Sequence, residues 1–269
     1  VIDQSDIFSE YNLIKTRFVI EINWILFLCD KYPVYFSKIS NQSKKKILSF
    51  RESFDDKSVV KIKKIEQSTN HDVKAIEYFI RDFFKKDRIL KNYIYLIHFG
   101  LTSEDVNSLS YAIIINDGLK QYLKDIKNLN SLLNKLSVKW KKISLLSRTH
   151  GQAASPTTLG KEIKVFSLRI KNEISKLNLI TPLAKFSGAI GNYHALNIAT
   201  DRINWESATK KFIKTFKIEQ NPITTQIEPH DWIAELLQTI NRINNICLDL
   251  SIDSWMYISN DIFKLKLNP

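Results

Sequence analysis

Glycine and proline are scarce, six of each in 269 residues. With so little punctuation, the chain should run in long periodic stretches rather than short elements joined by tight turns. Only two cysteines occur, Cys29 and Cys247. Two thiols make no disulfide framework, and neither has a partner at metal-ligand spacing, so both read as buried structural thiols of a reducing compartment. No apolar run approaches the roughly 20 residues that a bilayer span needs. The first residues lack the charged, apolar, small-residue order of a secretory signal. The expectation is a soluble, cytoplasmic protein with no membrane partner. A Gly-rich phosphate loop, a dinucleotide fingerprint and a zinc-type ligand set are all missing, so no cofactor and no metal are expected.

Acidic residues are also in deficit: 28 Asp and Glu against 40 Lys and Arg, a net charge of +12. Such a surplus favours an anionic partner, whether nucleic acid, acidic membrane or a polyanionic small molecule. The run Lys44-Lys45-Lys46 and the spread Lys61, Lys63, Lys64 read equally as solvated helix surface. The basic residues are scattered, without interleaved aromatics or a known motif, so no nucleic-acid partner is expected. A basic helical nucleic-acid-binding protein, or a non-catalytic scaffold, is the alternative reading.

A hydrophobic share of 44% and an aromatic share of 11% suit a chain that folds around a sizeable core. The periodicity is helical throughout, which makes the fold class all-α. Residues 8–30 read as one helix, 43–68 as two pieces, and 72–97 as a helix interrupted near Lys86-Asp87. Together with the residues up to 103 they form an N-terminal helical domain, 1–103. From 104 to 269 the pattern changes to that of a central long-helix bundle. In 228–260 the apolar positions Ile233, Leu236, Ile240, Ile243, Cys247 and Leu250 form a heptad-like seam. Residues 155–178 repeat it through Leu159, Ile163, Phe166, Ile170, Ile174 and Leu177, and 104–136 do so less strictly. Such seams expose more apolar stripe than neighbours in one chain can cover, so the bundle is expected to merge with those of other subunits.

Four polar clusters interrupt this frame: Thr69-Asn70-His71-Asp72, His98 to Asp105, Ser147 to Gln152, and Thr224 to Asp231. Thr69 or Asn70 could cap a helix there, and Thr102-Ser103-Glu104-Asp105 is a competent helix start in its own right. In combination the clusters supply histidines able to act near neutral pH, with hydroxyl, amide and cationic donors suited to carboxylates and phosphate. His150 stands out, between Arg148, Thr149 and Gln152 and followed by Gly151, where backbone could approach a ligand.

These segments resemble the adenylosuccinate lyase family of the bacterial type, within the fumarase/aspartase superfamily. The resemblance lies in Thr69 to Phe79 (TNHDVKAIEYF), His98 to Asn107 (HFGLTSEDVN), Ser147 to Thr158 (SRTHGQAASPTT), Gly188 to Asn192 (GAIGN) and Thr224 to Leu236 (TTQIEPHDWIAEL), in the family's order. It starts near Ile7 and covers nearly the whole chain. The family's next signature, Gly-Ser-Ser-x-Met-Pro-x-Lys-x-Asn-Pro, is met only at its end, by Lys266-Leu267-Asn268-Pro269. About a dozen residues are therefore expected to be missing between Leu265 and Lys266. The rest of the bundle and the carboxy-terminal domain lie outside this sequence, as does the family's amino-terminal Arg-Tyr pair.

The resemblance implies a carbon–nitrogen lyase that eliminates fumarate from adenylosuccinate to give AMP, and from SAICAR to give AICAR, in purine nucleotide biosynthesis. It implies that His150 is the general acid and that the base is the serine of the missing loop. His71, with Asn70 and Asp72 beside it, would bind and polarise the succinyl or phosphate end. Thr102 and Ser103 would donate to a carboxylate, and Gln152 and Gln226 would orient base and succinyl group. Lys266 and Asn268 would contact the succinyl carboxylates. The family's sites are built from three subunits of a homotetramer.

Overall fold

A computed structural model describes residues 4–266. The chain packs as two compact units. One comprises residues 1–118 and 181–230, the other 119–180 and 231–269. This division by packing falls inside a long helix, whereas the division at 103/104 follows the change in apolar periodicity.

In the first unit, α1 (Glu10–Lys31), α2 (Asn41–Glu52), α3 (Asp56–Thr69) and α4 (Asp72–Lys86) follow one another closely. The first three starts have a local cause: the Ser9, Ser40 and Asp55 side chains accept backbone N–H groups of the first turn, Asp55 in a reciprocal box with Ser58. The break foreseen near Lys86-Asp87 is made by Asp87. Its Oδ1 accepts from the Ile89 and Leu90 amides at 2.8 and 3.0 Å and turns the chain into a 3₁₀ stretch, Leu90–Leu96. Lys44, Lys46 and Lys63 are not merely solvated, since they pair with Asp30, Asp87 and Glu10.

The core of this unit is aromatic. Trp24, wholly buried on α1, stacks on Phe27 at 5.7 Å and meets the edges of Phe186 and Phe212 at 5.1 and 4.9 Å. Its indole N–H donates to the Phe99 carbonyl at 3.0 Å, which satisfies the one polar atom such burial would strand. Each such pair adds about 0.5–1.5 kcal/mol beyond area burial, so this cluster clamps the 181–187 segment and the later helix that carries Phe212 onto α1.

The long helix α5 (Ser103–Lys139) is followed by a β-hairpin, β1 (Ser144–Thr149) with β2 (Gln152–Thr158), and by α6 (Leu159–Leu177). The periodicity had carried α6 back to residue 155. Pro156 pushes the residue before it to extended backbone, the β-branched Thr157 and Thr158 favour strand, and the Thr158 hydroxyl caps α6 through the Lys161 amide at 3.2 Å. Back in the first unit, β3 (Leu183–Ala184), α7 (His194–Ala199), α8 (Trp205–Lys214) and β4 (Glu219–Gln220) follow, with β3 and β4 paired in parallel. The last helix is α9 (Asp231–Ser259).

In the second unit α6 lies antiparallel to both α5 and α9. Lys164 and Ser167 meet Asn134 and Asn130, while Arg169 and Glu173 pair with Asp249 and Arg242, at 2.8 Å in both ion pairs. The α9 seam is there, with Leu236 and Ile243 buried and Ile233, Ile240, Cys247 and Leu250 half-buried. Beside it Leu248, Ile252 and Trp255 are 57%, 49% and 73% exposed. No helix among the described residues is long and apolar enough to cross a membrane.

Candidate functional site

Each of the four polar clusters contains one non-glycine residue in the left-handed region: Asn70, His98, His150 and His230, with φ of 49°, 57°, 54° and 62°. Side chains other than Gly enter that region at a cost, and residues held there concentrate at functional sites.

Asn70 ends α3 in its left-handed conformation, and His71, not Thr69 or Asn70, caps α4. The His71 Nδ1 accepts from the Lys74 amide at 3.3 Å. That leaves the proton of a neutral ring on Nε2, which lies 3.3 Å from the Ser103 hydroxyl at the start of α5. Asp72 is held by Arg17, whose Nη2 lies 2.9 Å from Oδ2. Asn70, His71 and Asp72 line an open cleft of about 700 Å³ with Lys63, Glu66 and Gln67. Thr102 and Ser103 are half-buried, and the Thr102 amide donates to Asp105 at 2.8 Å, so the cap reading and the site reading coexist in one turn. Gln226 sits in an exposed bend of the same unit.

Beneath these residues lie buried charges, of which Glu21 was not singled out in the sequence. Glu21, wholly buried on α1, accepts from the His98 amide at 3.0 Å and lies 2.6 Å from its Nδ1. Glu77 faces the other ring nitrogen at 3.8 Å. Burial opposes charge on His98, but Glu21, its hydrogen bond, Glu77 and Asp105 outweigh it and hold His98 above the usual imidazole range. Glu228, also buried, lies 2.8 Å from the His230 Nδ1, and Glu104 lies 3.5 Å from Nε2. Burial pushes the Glu104 carboxyl up, against the Glu228 amide and His230. The available signal was a lone charge inside an apolar stretch, as Glu21 is between Ile20 and Ile22, and Lys185 between Ala184 and Phe186.

In the second unit, His150 and Gly151 form the two-residue tip of the hairpin, flanked by the pair Thr149–Gln152. Both have positive φ, 54° and 74°, the signature of a type I′ turn. A Cβ at Gly151 would meet nothing within 4 Å, so backbone twist, not crowding, explains this glycine. His150 and Gln152 are exposed. Behind the hairpin is a pocket of about 340 Å³ lined by Ser147, Arg148, Glu162, Asp253 and Tyr257 among others. Lys266 is exposed in the coil after α9, and Asn268 lies outside the described residues. His71, Asn70, Asp72, Thr102, Ser103 and Gln226 therefore belong to the first unit, and His150, Gln152 and Lys266 to the second. Burial and Asp30 push the Cys29 thiol up to about 12, which makes it a poor nucleophile.

The family model described as "Lyase" matches residues 21–268. Adenylosuccinate lyase of Buchnera aphidicola subsp. Schizaphis graminum (strain Sg) is 39% identical over 266 residues, covering 97% of this chain and 58% of that protein. The adenylosuccinate lyases of Legionella pneumophila (strain Corby) and Escherichia coli (strain K12) are 40% and 37% identical over 265 and 266 residues, with the same coverage. The chain thus spans 58% of the length of these curated relatives. Among solved structures, a fumarate lyase from Mesorhizobium sp. BNC1 superposes with a TM-score of 0.78 at 17% identity, over 95% of this chain and 57% of that one. A beta-carboxy-cis,cis-muconate cycloisomerase from Acinetobacter calcoaceticus sp. ADP1 does so with a TM-score of 0.76, also at 17% identity, with the same coverage. At that identity they share the fold.

Proposed function

The chain belongs to the lyase family, and from that premise we propose that its protein eliminates fumarate from adenylosuccinate to give AMP, and from SAICAR to give AICAR. The observation that carries this reading is the likeness, over 97% of the chain, to proteins named adenylosuccinate lyase.

The reaction removes a proton from the carbon beside a succinyl carboxylate. The electron pair left behind forms the carbon–carbon double bond of fumarate as the C–N bond breaks, and the departing nitrogen takes up a proton. His150 donates that proton. An imidazole at an exposed turn can approach substrate without backbone in its way, and a placed acid contributes about 10²–10⁴-fold. The base, on the family resemblance, is a serine of the Gly-Ser-Ser signature. The carbanion forms next to a carboxylate, so fixed donors around that carboxylate lower the barrier most. Thr102 and Ser103 supply hydroxyls there. His71 offers Nε2–H to a phosphate or carboxylate at the edge of the Asn70–Asp72 cleft. Gln152, Gln226, Lys266 and Asn268 complete the binding set.

A proton removed and a proton given call for no cofactor. The surplus of +12 steers a substrate that carries a phosphate and several carboxylates. We further propose a homotetramer, supported by the apolar face of α9 at Leu248, Ile252 and Trp255, and a cytoplasmic location. The test is ultraviolet-monitored conversion of adenylosuccinate by the protein expressed from its complete coding sequence, with His150→Ala in parallel. Turnover that falls by about 10²-fold or more in the variant is expected. An inactive, folded parent protein overturns the reading.

A further inference from the structure

We infer that Asp105 and Lys185 are positioning residues of the proposed lyase site: a buried ion pair that fixes the Thr102–Ser103 turn against the Gly188–Asn192 loop, so that the two hydroxyls are presented to a substrate carboxylate. The inference rests on the reading given under Proposed function.

Both side chains are wholly buried, with Nζ 2.8 Å from Oδ1. Removing two charges from water is repaid only when every remaining lone pair and proton finds a partner. Here the carboxylate oxygens and two of the three ammonium protons have partners. The Asp105 carboxylate also accepts from the amides of Thr102, Ser187 and Gly188 at 2.8, 2.9 and 3.1 Å. The Lys185 ammonium donates to the Gly188 carbonyl at 2.6 Å, and the Lys185 backbone exchanges hydrogen bonds with the Ser108 hydroxyl.

An apolar pair of the same volume would fill this space at smaller desolvation cost. What it could not do is gather three backbone N–H groups from segments about 80 residues apart in sequence. The gathered loop then carries the constraint further. Ser187 Oγ lies 3.4 Å from Thr224 Oγ1, and Gly191 packs so closely that an added Cβ would stand 2.0 Å from the Thr224 carbonyl. Thr224 opens the segment that holds Gln226. Two of the segments proposed to contact substrate, the Thr102–Ser103 turn and the one that holds Gln226, are therefore referred to one buried carboxylate. The Ser103 hydroxyl stays outside this network and faces His71 instead.

The test compares the full-length protein with Asp105→Asn and with the neutral double variant Asp105→Asn/Lys185→Gln, which leaves no lone buried charge. KM for adenylosuccinate and the inhibition constant of AMP are measured for each. AMP lacks the succinyl carboxylates, so a pair that positions carboxylate donors affects one constant and spares the other. The expected result for a folded double variant is a KM raised about tenfold or more, with AMP inhibition within about twofold of the parent. A folded double variant with parental KM overturns the inference, as does an equal loss of both ligands, which would mark a purely structural pair. Should the double variant not fold, Lys185→Arg is read by the same two constants, since it keeps the charge but not the Nζ–Gly188 geometry. An inactive parent protein overturns the underlying reading and this inference together, whereas an active parent with unmoved variants overturns this one alone.

Discussion

The Nε2 of His71 and the hydroxyl of Ser103 lie 3.3 Å apart, although 32 residues separate them in the chain. The same imidazole caps α4 through its other nitrogen, so one side chain serves a helix end and a candidate substrate contact at once.

These two duties can be separated. His71→Asn keeps a strong capping residue, whereas His71→Ala loses the cap at about 1 kcal/mol. Thermal melts should show Asn close to the parent and Ala below it, while both lose turnover on adenylosuccinate by tenfold or more. Parental turnover in His71→Asn would remove His71 from the site.

His98 makes stability depend on pH with a definite sign. Its folded value lies above the ordinary 6.5, because Glu21 and Glu77 outweigh burial. The stabilisation is therefore fully present below about pH 6.5 and is lost as pH rises through the folded value. Melting temperature should fall as pH rises above about 6.5, and His98→Gln should flatten that part of the profile. An unchanged slope in the variant would assign the fall to other groups.

Two glycines with similar backbones should respond differently to alanine. Gly191 has φ 83° and no room, since a Cβ would meet the Thr224 carbonyl at 2.0 Å. Gly151 has φ 74° and open space. Denaturant titration should show Gly151→Ala costing about 1 kcal/mol of backbone strain. Gly191→Ala should cost more than about 3 kcal/mol, because strain and overpacking add. Equal costs would show that the loop around Gly191 yields.

The exposed face of α9 predicts assembly. The pair Leu248→Glu and Ile252→Glu places charge on side chains that are 57% and 49% exposed, where a monomer tolerates it and an apolar interface does not. Sedimentation should report a tetramer for the parent and smaller species for the variant. A variant that remains tetrameric would place the interface elsewhere.

The helices were legible because they rest on periodicity, which each segment carries within itself. α1, the split pair α2 and α3, and the seams of α6 and α9 follow from apolar spacing and from caps such as Ser40 and Asp55. The hairpin was not foreseen. Its strands are short and polar, and what defines them is the turn at His150-Gly151, which is not the usual Asn-Gly or Asp-Gly. α7, α8 and the β3–β4 ladder lie in a stretch whose order depends on partners far away in sequence, such as Trp24 against Phe212. At the candidate site the exposed polar residues drew attention through their neighbours in sequence. The residues that hold them did not, because Glu21, Asp105 and Lys185 acquire their partners only on folding. For Glu21 and Lys185 the clue available was a single charge inside an apolar run, whereas Asp105 lay among the polar residues of a helix start.

The hairpin tip also narrows what position 150 can hold. With both tip residues left-handed, bulky β-branched side chains are disfavoured there, and Asn, Asp, Gly and His are the types that fit best. Shape and chemistry thus select from overlapping short menus, and one residue type on both is His. The overlap has a practical use. His150→Asn preserves the bend while removing the titratable proton, which yields a form suited to holding an unreacted nucleotide long enough to be seen in a crystal.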